Sequence, residues 1–244
     1  MPCLLEIAAF NLHAARSAAA AGAHRIELCD NAHEGGTTPS PGTLKAIRQE
    51  IQIPVFPIIR PRGGHFVYSQ QEWDAMKWDL EYCQSLGFPG VVLGGLNSRG
   101  EVDYPNMQAL MRLCEGMEVT FHRAFDRCLD ADSAIECILD LGCKRILSSG
   151  GFPTVPQGMQ RLKEWIQKYQ DRISIMPGSG VNSQNIQKIH AMCGAKEYHT
   201  AARKRTSGHT TFFNPTDMQE EPVFTGVDEL EIQSLLNILE NCHE

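Results

Sequence analysis

The chain reads as an α/β protein, a (β/α)8 TIM barrel, and three observations predict it. Strand-like apolar runs alternate with helical stretches eight times along 244 residues. They recur at about 20–40 residues, the spacing that parallel strands with helical crossovers need. The first turn, Phe10-Asn11-Leu12-His13, lacks the glycine pattern of a dinucleotide fold. A doubly wound open sheet is therefore the weaker alternative.

Each element has its own local signal. The first strand covers 4–10, and Asn11 is placed to cap a helix that stops at Gly22. A second strand covers 25–30; Pro41 starts the helix after its Gly- and Thr-rich loop. The third strand, 55–62, holds Pro57 and Pro61, which predict irregular pairing. A helix over 70–86 precedes strand four at 90–95, and a helix over 106–114 precedes strand five. In strand five Val119 and Phe121 alternate with Thr120 and His122, the period of a strand with one apolar face. Helices over 131–141, 157–169 and 183–192 then alternate with strands at 145–151, 173–180 and 197–203. The stretch 204–227 is polar and reads as an extended loop or arm before a closing helix over 228–241. The whole chain, 1–244, is expected to be one domain.

Composition narrows the classes. Hydrophobic residues make up 42% of the chain, enough for a large core, and the net charge is −7. Arg203-Lys204-Arg205 is too short for a nucleic-acid footprint. No run reaches the length of a membrane span, and Glu6 breaks the N-terminal apolar run, so no signal peptide is read. The nine cysteines include no Cys-x-x-Cys pair, which signals reduced, buried thiols in a cytoplasmic protein.

In a barrel the helix-facing row of each strand is apolar, so the other row faces inward. That rule turns Glu6, Glu27, Cys29, His122, Glu197 and His199 inward. Arg60 and Arg62 join them, because helix contacts would reject guanidinium groups. Three constellations follow. Glu27, Arg60, His122 and His199, with Arg123 next in sequence, form a candidate catalytic set, the His and Glu as acid and base and the Arg holding an anion. Gly178, Ser179 and Gly180, in a turn before a helix, could bind an anion through backbone N–H groups, with Arg62 helping. Cys29 with His122 or His199 could hold copper or zinc. The competing reading is a structural ion network, or a scaffold whose 204–227 arm docks a partner.

Seven stretches resemble the CutC family. They are Leu4-Leu5-Glu6-Ile7, Arg25-Ile26-Glu27-Leu28-Cys29, Glu34-Gly35-Gly36-Thr37-Thr38-Pro39-Ser40, Ile58-Ile59-Arg60-Pro61-Arg62-Gly63-Gly64, Gly87-Phe88-Pro89-Gly90, Thr120-Phe121-His122-Arg123-Ala124-Phe125-Asp126 and Gly178-Ser179-Gly180-Val181. The resemblance implies a cytosolic TIM barrel that forms a homo-oligomer, a dimer or tetramer, with copper homeostasis or copper binding as its role. The residues read by themselves allow a barrel enzyme for a small phosphorylated or carboxylated metabolite.

Overall fold

The computed structural model describes residues 3–208, 211–212 and 223–242. The order is β1 (Leu4–Ala9), α1 (Leu12–Ala20), β2 (Arg25–Leu28), α2 (Pro41–Glu50), β3 (Val55–Pro57), α3 (Gln70–Ser85), β4 (Gly90–Leu93) and α4 (Tyr104–Met111). It continues with β5 (Glu118–Phe121), α5 (Ala131–Asp140), β6 (Arg145–Ser148), α6 (Val155–Tyr169), β7 (Ser174–Pro177), α7 (Ile186–Cys193) and β8 (Glu197–Thr200). An antiparallel ribbon, β9 (Arg203–Ser207) and β10 (Val223–Val227), precedes α8 (Glu229–Asn241).

Side chains set the helix starts. Asn11, Ser40, Asp103, Asp130 and Asp228 each accept a backbone N–H in the first turn of the helix that follows. Ser69 and Glu72 close a reciprocal capping box on α3. Asn11 also ties β10 to the start of α1, because its amide donates to Thr225 O at 2.7 Å.

The barrel is made of two parallel four-stranded sheets, β3-β2-β1-β8 and β4-β5-β6-β7. They join through two single bridges, Ile58 to Val92 and Gly178 to His199. Strand three is thus shorter than the predicted 55–62. Pro57 has no N–H to donate, and the chain pairs regularly only over Val55–Pro57. Beyond Ile58 it turns into loop, carrying Arg60 and Arg62 with it. The predicted arm over 204–227 is ribbon at both ends; residues 209–210 and 213–222 lie outside the described residues.

Helix-facing residues such as Leu5, Ile7, Ile26, Leu28, Val91 and Val119 join one apolar layer between strands and helices. A second, smaller cluster fills the barrel itself: Ala8, Phe10, Cys29, Phe56, Ile58 and Val92. Below it, the first residues of several strands form an ion layer. Arg25 bonds Glu6 and Glu197, and Arg145 bonds Glu197 and Glu118. Both guanidinium groups also face the Phe56 ring, at 5.1 and 5.3 Å from its centroid. Room for that ring comes from Gly90, where a Cβ would lie 2.5 Å from Phe56 and 2.6 Å from Glu118 O. The inward row thus divides into a paired ion layer at the N-terminal ends of the strands and a cavity at the C-terminal ends.

Among the described residues no helix is long and apolar enough to cross a membrane. All nine cysteines are free, and six of them are buried.

Candidate functional site

A cavity of about 710 Å³ opens at the C-terminal mouth of the barrel. Glu27, Arg60, His122, Arg123, Ser179, Gly180 and His199 all line it. Strand ends and loops scattered over the sequence thus deliver most of the predicted set to one hollow. Gly178 packs beneath the wall, against Leu147 and His199.

His199 and Glu27 line the floor, and the fully buried Glu6 lies behind the imidazole. The His199 ring lies between two carboxylates, with Nδ1 2.8 Å from Glu6 Oε1 and Nε2 3.6 Å from Glu27 Oε2. The register explains this: Glu6 stands opposite His199 across β1 and β8, and Glu27 opposite Ala8 across β2 and β1. Burial would raise the Glu6 carboxyl, but Arg25 and His199 outweigh it and hold it at about 2. Burial pushes Glu27 up to about 7; His199 opposes that rise and the Glu6 charge adds to it. Burial also opposes a charge on His199, but the Glu6 hydrogen bond and the two carboxylates outweigh it and raise its pKa. A fixed anion thus orients one side of the imidazole, and a carboxyl of raised pKa faces the other at 3.6 Å.

The other predicted residues are placed differently. Arg60 is buried, and its terminal nitrogens donate to Glu34 O, Gly36 O and Gly64 O. It holds two βα-loops together, so its hydrogen-bonding capacity is largely spent before a ligand arrives. Arg62 is a correction: it does not reach the cavity. It pairs with Glu72 and donates to the carbonyls of Gly63, His65 and Val67, because strand three ends before it. Arg123 lines the wall, tethered to Asp126 and Ser149.

His122 also departs from the acid–base role expected of it. Its Nδ1 accepts the Ala124 N–H at 3.2 Å, so the neutral ring carries its proton on Nε2. Burial and the neighbouring Arg60 charge lower its pKa to about 3. The ring sits against bare Gly94, where a Cβ would lie 2.7 Å from Nδ1.

The turn after β7 is partly occupied by the protein's own side chains. Glu231 of α8 accepts from Ser183 N and Ser183 Oγ, at 2.6 and 2.7 Å. Asn182 and Asn185 side chains take the amides of Gln184 and Asn182. A carboxylate therefore already sits where the sequence placed an anion at the start of this helix. Ser179 and Gly180, both at positive φ, keep their places in the cavity wall.

Arg203, read from the sequence as the end of strand eight and part of a short basic run, lines the mouth and lies 4.6 Å from the Phe10 ring centroid. Glu231 and Phe66, also in the lining, gave no sequence signal beyond residue type.

Among the described residues, one group of three donors is close enough to hold a cation: Glu6, Glu27 and His199, with one atom from each within 4.8 Å of the others. Two carboxylates and an imidazole suit harder divalent ions better than copper(I). Cys29, the predicted metal ligand, lies outside this group. Its thiol is raised well above its ordinary value by burial and by Glu27, whereas a metal needs the thiolate.

Fold and site together define a (β/α)8-barrel protein with a polar cavity at the C-terminal mouth. The CutC family matches residues 3–204. A CutC family protein of Pectobacterium atrosepticum is 47% identical over 203 residues, covering 83% of this chain and 80% of the relative. The human copper homeostasis protein cutC homolog is 41% identical over 211 residues, covering 86% of this chain and 77% of the relative. A crystal structure of a copper homeostasis protein CutC from Streptococcus agalactiae superposes with a TM-score of 0.77 at 35% identity, over 82% of this chain and 98% of that one. The chain belongs to the CutC family.

Proposed function

We propose that the chain is an acid–base enzyme that acts on a small phosphorylated or carboxylated metabolite at the mouth of its barrel. The observation behind this reading is the pair His199 and Glu27 in the cavity lining, with the fully buried Glu6 behind the imidazole. Glu6 accepts the Nδ1–H of His199 and sets the ring's orientation. Glu27, whose carboxyl changes charge near neutral pH, gives or takes the proton at the ligand. His199 passes a proton to Glu27 or holds it. Arg203 and the Ser179–Gly180 turn stand at the rim to meet an anionic group. The relay uses all three groups; holding a cation there would displace the contacts Glu6 makes with His199 and Arg25.

The test is depletion of metabolites from a cell extract, followed by mass spectrometry. Wild type is expected to consume at least one anionic metabolite, and Glu27→Gln to slow this about 10²–10⁴-fold. Equal depletion by both proteins would overturn the reading.

Copper handling is the second reading, supported by the human relative's name, with Cys29 as the thiol it would require. Stoichiometric Cu(I) uptake under reducing conditions, lost in Cys29→Ser, is its expected outcome; absence of uptake would remove it. On either reading we place the protein in the cytoplasm as a homo-oligomer, a dimer or tetramer, which light scattering checks.

A further inference from the structure

Two buried nitrogens of residues lining the cavity have no hydrogen-bond partner among the described residues, Arg60 Nε and His122 Nε2, and the second belongs to a group the floor relay does not use. His122 Nε2 is buried and has no hydrogen-bond partner among the described residues. Its tautomer follows from geometry. The Ala124 N–H can only donate, so Nδ1 must accept, and the neutral ring's hydrogen is on Nε2. A buried N–H with no acceptor forfeits its hydration without return, and such a group in a cavity wall points to a missing partner.

The ring is also held still. Gly94 leaves no space on the Nδ1 side. The Phe66 ring lies against the imidazole, with centroids 5.0 Å apart. Phe66 lines both the 710 Å³ cavity and a neighbouring one of about 660 Å³. It is the cover with somewhere to go: a turn into the second cavity exposes the imidazole edge to the first.

The geometry points to His122 as a fixed hydrogen-bond donor that recognises a carbonyl oxygen of the ligand held above Glu27, once Phe66 moves aside. The ligand class is then a small carbonyl compound carrying an anionic group, such as a 2-oxo acid. This inference rests on the acid–base reading and adds the electrophile to it. A neutral imidazole N–H facing a carbonyl, with a carboxylate base nearby, is suited to removing a proton next to that carbonyl. The base takes the C–H proton, the electron pair moves into the new C=C bond, and the carbonyl oxygen gains the charge that the Nε2–H supports. Burial keeps the imidazole neutral, and Arg60, fixed to loop carbonyls nearby, adds to it.

The experiment uses the full chain with ¹⁵N-labelled histidine. Pyruvate is the probe, and propionate, the same carboxylate without the carbonyl oxygen, is the control. Pyruvate at millimolar concentration is expected to shift the His122 Nε2–H signal downfield, and propionate is not. His122→Asn and His122→Phe are expected to weaken pyruvate binding about tenfold, the size of one hydrogen bond to a buried group. Equal effects of the two acids on that signal, or no effect of pyruvate on it, would overturn the inference. Exchange of the pyruvate methyl protons for deuterium reports separately on Glu27. A shifted His122 signal without enzyme-dependent exchange keeps this inference and removes the acid–base reading. Exchange that is lost in Glu27→Gln while the His122 signal stays still does the reverse.

Discussion

Glu27 is where proton chemistry and folding stability meet. Its carboxyl is higher in the folded chain, about 7, than the ordinary 4.5. The folded state therefore holds a proton that the unfolded state releases. The stability linked to that proton is complete below 4.5 and is lost as pH rises through about 7. Glu27→Gln cannot ionise. Urea unfolding should show the variant matching wild type near pH 5 and exceeding it by roughly 1–3 kcal/mol near pH 8.5. The same group predicts that the metabolite-consuming rate rises with pH through about 7 and that Glu27→Gln flattens the curve. A wild-type rate independent of pH between about 6 and 8 would exclude Glu27 as the base. The inward direction of Glu6, Glu27, His122 and His199 was legible from strand parity. The fates of Arg60 and Arg62 were not, because they depend on where Pro57 ends the pairing. Arg25 and Arg145 follow the same parity, but their partners Glu6, Glu197 and Glu118 come from other strands, which parity alone does not name. What each inward group does also lay beyond parity: His122 lost its expected role to one backbone N–H two residues on.

Strand three apart, the strands and helices of the barrel were legible to within about three residues at each end, since alternation and caps are local signals. The ribbon was not: Arg203–Ser207 is polar throughout, and its pairing with Val223–Val227 is a long-range choice. Two predictions belong to single strands. In β4, Gly90→Ala would drive a methyl into Phe56 and the Glu118 carbonyl; chemical denaturation should show a loss of about 1–3 kcal/mol. In β2, Arg25→Met would leave Glu6 and Glu197 short of a buried cation. The expected loss is about 3–5 kcal/mol, measured the same way. A loss below about 1 kcal/mol would show that water reaches the ion layer.

The barrel closes by one bridge on each side, between two sheets that are otherwise regularly paired. Hydrogen exchange should follow that division. Amides inside β1, β2, β5 and β6 are expected to exchange last, and Ile59 N–H, which crosses to Val92 O at 2.7 Å, earlier. Uniform protection around the ring would mean that the seams are as strong as the sheets. The eight-unit count and the fold were readable from the chain; the grouping of strands into four and four was not, because it depends on how far pairing continues across the two seams, where Ile58–Val92 and Gly178–His199 are single bridges.

That grouping has a consequence for rewiring the polypeptide. Strand β8 sits beside β1, and the closing helix α8 packs against α1, the helix that follows β1. Splicing the end of α8 to the start of β1 and reopening the backbone between α3 and β4 would yield a circular permutant. Each half of the ring would then be encoded without interruption, as β4 through β7 followed by β8 through β3.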